Sequence, residues 1–186
     1  MFDRWAPTYE RSAMQKWIFV PVHTKMLDLL AQELKDPPRS IIDVGCGTGR
    51  LLRAALGRWP EAQLYGVDPS QQMLSEAKRL SPRATFQLAA AESLPFPDQT
   101  ADVVLTSLSF HHWADQVRSL QEIARVLRPG GLFCLADHTL SLFRERARSR
   151  KQIQALVNGA GLAVRVQQRV VLGLVLITVA QKAGTP

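Results

Sequence analysis

The sequence predicts an α/β fold: a Rossmann-like, doubly wound, mostly parallel seven-stranded sheet with helices on both faces and an antiparallel C-terminal strand. Three observations carry this expectation. Short runs of β-branched, aromatic and aliphatic residues alternate with amphipathic helical patterns, and that alternation builds right-handed βαβ units with a parallel sheet. A glycine-rich turn at 45–49 follows the first core run and opens the next helix. Finally, two long strand patterns near 163–171 and 174–181 have only Leu172-Gly173 between them. A link that short is a hairpin, so the last strand must run against its neighbour.

Taken in order, Tyr9 to Leu34 places Trp17, Val20, Met26, Leu29, Leu30 and Leu34 at helical spacing. Pro21 breaks this pattern into one or two helices, which would pack on the sheet or cover its ligand edge. Asp36-Pro37-Pro38 stops the helix. Strands are predicted at 41–44, 63–67, 84–89, 102–107 and 132–136. The helices between them present Leu51, Leu52, Ala55, Leu56 and Trp59, then Met73, Leu74, Ala77 and Leu80, then Val117, Leu120, Ile123, Ala124 and Leu127 on one face each. A further helix carries Ile153, Leu156, Val157 and Ala160 and ends at Gly159 or Gly161. Arg128-Pro129-Gly130-Gly131 reads as a helix stop and turn. With no repeat or linker visible, 1–186 is expected to be one domain, a helical cover at 1–36 on an α/β core at 39–186.

Composition narrows the function classes. The 186 residues, 46% hydrophobic and 21% charged, suit a globular core. The longest apolar run, Val170 to Ala180, is about half of what a membrane helix needs. The first residues lack the order of a secretory signal, so a cytoplasmic location is expected. Cys46 and Cys134 show no CxxC pairing and read as reduced core thiols; no metal motif is present. The net charge of +7 permits an anionic partner but also suits a solvated surface. Its densest part is Arg144, Arg146, Arg148, Arg150 and Lys151.

The chemistry concentrates in Asp43-Val44-Gly45-Cys46-Gly47-Thr48-Gly49, placed after a strand and before a helix, where glycines let a ligand approach the backbone. Asp68, at the end of the second strand, stands where an acid can accept hydrogen bonds from ribose hydroxyls. A dinucleotide fingerprint would need Gly or Ala at position 50 and finds Arg50; no P-loop sequence exists. An adenosyl compound carrying an amino acid fits this loop better than NAD.

These motifs resemble the class I S-adenosylmethionine-dependent methyltransferases, in their small-molecule and quinone-type branch with a methyltransferase type 11 domain. Phe2-Asp3-Arg4-Trp5-Ala6-Pro7-Thr8-Tyr9 is similar to the family's F-D-x-x-A-x-x-Y opening, which puts Tyr9 near the methionine end of the cofactor. By the same resemblance Gly45, Cys46 and Gly47 offer backbone to methionine and ribose, and Asp43 steers the amino group. Val67-Asp68-Pro69-Ser70 with Met73 resembles the second motif, with Asp68 on the ribose and Pro69 and Met73 near the adenine. Ala91-Glu92-Ser93-Leu94-Pro95-Phe96 resembles the D-A-E-x-L-P-F segment, but Ala90 replaces its Asp, so adenine recognition would rest more on the backbone of Ala91 and Glu92 and on stacking. Asp102 to Trp113 and Glu122 to Gly131 resemble the fourth strand, helix and turn, with Thr106 and Ser107 at the cofactor edge.

The resemblance implies methyl transfer from S-adenosylmethionine, leaving S-adenosylhomocysteine, to carbon or oxygen of a small or lipid-like acceptor. His111 is the candidate catalytic base, because it follows the fourth strand at the ligand edge of such sheets and an imidazole can take a proton near neutral pH; His112 is the other candidate there. Trp5, Trp17, Phe19 and Met26 would form an apolar cover. Two alternatives stay open: an RNA or protein methyltransferase using the basic 144–151 cluster, and a non-catalytic adenosyl-ligand binding module. The oligomeric state is not legible.

Overall fold

A computed structural model of the chain describes residues 15–139 and 148–184. Tyr9 and Trp5, with Arg144 and Arg146 of the basic cluster, lie outside them. After a π-helical turn at Gln15–Phe19, the elements run α1 (Val20–Glu33), β1 (Ser40–Val44), α2 (Arg50–Arg58), β2 (Gln63–Asp68), α3 (Gln71–Leu80), β3 (Ala84–Leu88) and β4 (Ala101–Ser107). A 3₁₀ turn at Phe110–His112 leads to α4 (Gln116–Val126), β5 (Leu127–His138), α5 (Arg150–Gly159), β6 (Leu162–Val170) and β7 (Val175–Lys182).

The seven strands form one sheet in the order β3-β2-β1-β4-β5-β7-β6. Pairings from β3 through β5 are parallel, whereas β7 runs antiparallel to both β5 and β6. Only β7 is therefore reversed, as the short hairpin requires. The strand order turns back between β1 and β4, and such a switch point opens a crevice beyond the carboxyl ends of the strands.

Alternation along each strand feeds two cores. Ile41, Leu64, Val103, Leu105, Cys134 and Ile177 face α1, α2 and α3 on one side. Ile42, Val44, Val104, Phe133, Leu135 and Leu176 face α4 and α5 on the other. Because the side-chain period of a strand is two, Asp43 falls on the α1 side. Caps fix the helix starts: Ser70 and Asp115 accept from the first-turn amides of Met73 in α3 and Arg118 in α4, and Ser149 with Gln152 forms a full capping box on α5. None of the described helices is long and apolar enough to cross a membrane.

Three local expectations change. Pro21 does not break the N-terminal helix; it sits in the first turn of α1, where a missing amide proton leaves no intrahelical bond unmade. Arg128-Pro129-Gly130-Gly131 forms no separate turn. Extended chain resumes at Leu127, directly after α4, and the extra residues are absorbed as a register shift between the pairs Ala101↔Leu127 and Val103↔Leu132, with Gly130 at φ +78°. Met26 is completely buried in the core of the sheet, while Trp17 is 73% exposed. Among the described residues of the proposed apolar cover, Phe19 alone reaches the ligand edge.

Candidate functional site

The crevice at the carboxyl ends of β1 and β4 is lined by Asp43, the loop from Gly45 to Thr48, Arg50 and Leu51 on one side. Phe19 and His23 of the α1 segment and Ser107 of β4 form the other. The His23 Nε2 lies 3.2 Å from Ser107 Oγ, joining α1 to the sheet edge. Thus the N-terminal helix does approach the site, through its first turns.

The glycine loop is held from β2. The amides of Gly45 and Cys46 both donate to the Val67 carbonyl, at 2.8 and 3.0 Å. Asp68 then uses its two oxygens separately: Oδ2 accepts from the Gly47 amide and Oδ1 from the Ser70 amide, each at 2.9 Å. One carboxylate thereby fixes the loop after β1 and the start of α3. The glycines have different reasons. A Cβ on Gly45, at φ +74°, would come within 1.9 Å of Ser109 Oγ, so this position makes room for the protein's own chain. A Cβ on Gly47, at φ +52°, would meet nothing within 4 Å. Gly47 is where the loop presents bare backbone to the crevice.

Asp43 is the electrostatic centre. It is 2% exposed, and its Oδ1 has no hydrogen-bond partner among the described residues. Burial, and then the negative charge of Asp68, push its carboxyl up to about 8. Such an acid stays protonated at neutral pH until a cation arrives beside it. An amino-acid ammonium would satisfy the empty oxygen and relieve the repulsion, so these residues fit the methionine end of S-adenosylmethionine. The neighbouring Cys46 thiol is pushed up by burial and by both carboxylates, which keeps it inert.

The remaining adenosine candidates divide. Pro69 is exposed and Met73 buried at the start of α3. Ala91 is buried in the core facing α4. Glu92 is committed to structure, since Oε1 accepts from the amides of Ala114 and Asp115 ahead of α4. Thr106 is completely buried, its hydroxyl unpartnered among the described residues, and does not line the crevice. Ser107, one residue on and therefore on the other face, does.

Beyond β4 the chain turns sharply. Leu108 has φ +52°, a strained conformation for a branched side chain that is kept where surrounding structure fixes it. Here its amide donates to Ala136 O at 2.8 Å. Ser109 lies over Gly45 and accepts from the Trp113 indole at 3.1 Å. His111 is then set against Asp137 at the end of β5. Asp137 Oδ2 accepts from the His111 amide at 2.8 Å, and Oδ1 lies 2.7 Å from His111 Nδ1. The His112 and His138 rings flank His111 with centroids 3.9 and 4.2 Å away. His111, Asp137 and His138 offer possible ligand atoms within 4.8 Å of one another; in this arrangement both carboxylate oxygens are already accepting hydrogen bonds. Sequence reading missed Asp137 because only the parallel pairing of β4 with β5 brings it to His111.

Two described arginines of the basic cluster are used internally: Arg148 Nε donates to Gln116 Oε1 at 2.9 Å and Arg150 Nε to Gln167 Oε1 at 3.0 Å. Elsewhere Arg125 staples the segment after β3, donating to the carbonyls of Leu94 and Phe96, while Glu122 accepts from the Leu94 amide.

Comparison with known proteins gives the family and the fold. Residues 42–135 match a family model described as a methyltransferase domain. The chain is 36% identical over 111 residues to an uncharacterized methyltransferase of Schizosaccharomyces pombe, covering 54% of this chain and 40% of that one. It is 30% identical over 155 residues to the ubiquinone/menaquinone biosynthesis C-methyltransferase UbiE of Campylobacter jejuni, covering 75% and 62%. Hence the chain spans about 40% of the length of several curated relatives it matches. Among solved structures, a chain of the complex between the Haloferax volcanii Trm112 methyltransferase activator and its methyltransferase superposes with TM-score 0.81, covering 98% and 97% at 23% identity. A SAM-dependent methyltransferase from Aquifex aeolicus gives 0.80, covering 96% and 97% at 17% identity. At these identities the structural likenesses speak for the fold.

Proposed function

The chain belongs to the methyltransferase domain family, and from that premise we propose that it binds S-adenosylmethionine in the crevice at β1 and β4 and methylates oxygen or carbon of a small acceptor. The observation that carries this reading is Asp43: a buried carboxyl with one oxygen unpartnered among the described residues, beside bare backbone at Gly47. S-adenosylmethionine supplies, when bound, a methyl group already activated by its sulfonium centre.

The protein's own work is then binding and placement. Asp43 would hold the amino group, and the Gly47 segment would admit the ligand against the loop. Asp68 would receive ribose hydroxyls on lone pairs left over from its two amide bonds. Phe19, His23 and Ser107 narrow the opposite rim and limit water. Beyond Ser107 and the crevice lining, His111, itself buried, would take the proton of an acceptor hydroxyl or acidic carbon. The UbiE relative is named for C-methylation, which supports a small, proton-bearing acceptor. The internal hydrogen bonds of Arg148 and Arg150 lend no support to nucleic acid.

Calorimetric titration with S-adenosylhomocysteine, with NAD as control, tests the site. Saturable micromolar binding of the first alone is expected; binding of NAD alone, or of neither, overturns the reading. A screen of hydroxylated and carbon-acid acceptors with methyl-labelled donor then tests transfer.

A further inference from the structure

We propose that Asp137 is a positioning residue that locks His111 in the tautomer with the proton on Nδ1, so that Nε2 is the nitrogen that accepts a proton from the methyl acceptor. This rests on the reading of His111 as the base. Asp137 is 2% exposed, His111 7%. The carboxylate meets three groups: the His111 amide at Oδ2 (2.8 Å), the His111 ring at Oδ1 (2.7 Å), and the His138 amide, also at Oδ1 (2.8 Å). A carboxylate only accepts, so the ring nitrogen facing it must donate. No hydrogen bond to Nε2 is found among the described residues. Gripping backbone and ring together fixes both the place of the 3₁₀ turn and the rotation of the imidazole.

The arrangement also excludes the reverse assignment. With the proton on Nε2, Nδ1 would turn a lone pair toward Oδ1 at 2.7 Å, two acceptors in a buried site. The proton moves from the acceptor's O–H or C–H to Nε2, the resulting imidazolium facing the Asp137 carboxylate, while the acceptor's freed electron pair forms the new bond to methyl carbon. Donor sulfur leaves with the pair of the broken S–C bond, and the imidazolium proton returns to solvent.

The test uses the full chain labelled with ¹⁵N-histidine. The sequence has four histidines, so long-range ¹H–¹⁵N correlation spectra resolve each ring, with His112→Gln and His138→Gln for assignment. Wild type should show a protonated Nδ1 and a lone-pair Nε2 at His111, and Asp137→Asn should convert this to the other tautomer or a mixture. In methyl transfer to an acceptor from the screen, Asp137→Asn should lower kcat roughly a hundredfold and leave S-adenosylhomocysteine affinity within about twofold. A protonated Nε2 in wild type, or an unchanged tautomer and rate in Asp137→Asn, overturns the proposal. Wild type alone decides the tautomer should the variant fail to fold. Failure of S-adenosylhomocysteine to bind wild type would instead remove the proposed function while leaving the tautomer result standing.

Discussion

Asp43 and Asp68 stand at the ends of the paired strands β1 and β2, and the second acid makes the first harder to ionise. Burial raises the Asp43 carboxyl most and the Asp68 charge adds to it, to about 8. A ligand that brings an ammonium to Asp43 must therefore drive off its proton.

Proton release on binding is the first prediction. Near pH 7 the free site is protonated and the occupied site is not, so affinity for S-adenosylhomocysteine should rise with pH until the free carboxyl ionises near 8. Calorimetry at pH 7 in buffers of different ionisation enthalpy should count close to one proton released. A count of zero would show that Asp43 does not meet the amino group.

The same group sets a pH dependence of the empty protein. Its folded pKa lies above the unfolded value of 3.8, so its contribution to stability is greatest at acid pH and falls as pH rises from about 4 to about 8. Asp43→Asn should flatten that part of the melting profile. A variant profile parallel to wild type would contradict it.

Asp68→Ala removes two anchors at once, the acceptors for the Gly47 and Ser70 amides. Each lost bond to a charged group is worth about 1.5–3 kcal/mol. The melting temperature should fall, and S-adenosylhomocysteine affinity should drop by roughly tenfold or more. Asp68→Asn, which can keep one acceptor, should be milder.

Gly45 and Gly47 should separate folding from binding. Gly45→Ala collides with Ser109 and adopts a disfavoured φ, so it should cost at least about 2 kcal/mol of stability, partly restored by Ser109→Gly. At Gly47 a Cβ meets nothing within 4 Å among the described residues, so Gly47→Val carries the strain of φ +52° without that collision; it should keep more of the fold than Gly45→Ala and lose ligand binding. Equal melting temperatures with wild-type binding in both would sink the loop assignment.

Arg125→Ala should destabilise by about 2 kcal/mol or more, since it frees the Leu94 and Phe96 carbonyls. Its partner Glu122 is held below the usual carboxylate range, first by the hydrogen bond from Arg125. That contribution is present above the ordinary glutamate pKa of 4.5 and is lost as pH falls through the folded value. Acid melts of the variant should be less pH-dependent there than those of wild type.

The sequence by itself determined the sheet, because strand and helix periods of hydrophobicity are local and survive without coordinates. It determined the reversed last strand, since Leu172-Gly173 leaves no length for a crossover, and it marked Asp43, Gly47 and Asp68 through glycine spacing. Tertiary structure decided what depends on pairing and on side-chain direction. Whether Thr106 or Ser107 faces the crevice turns on one residue of strand parity, and the fully buried Thr106 shows the outcome. Gly45 makes room for Ser109, and Glu92 is occupied by Ala114 and Asp115; neither fact lies in the local pattern. Asp137 reaches His111 from 26 residues away, because β4 and β5 lie side by side and end together. Contacts across strands follow from register, and register is fixed only when the whole sheet has packed.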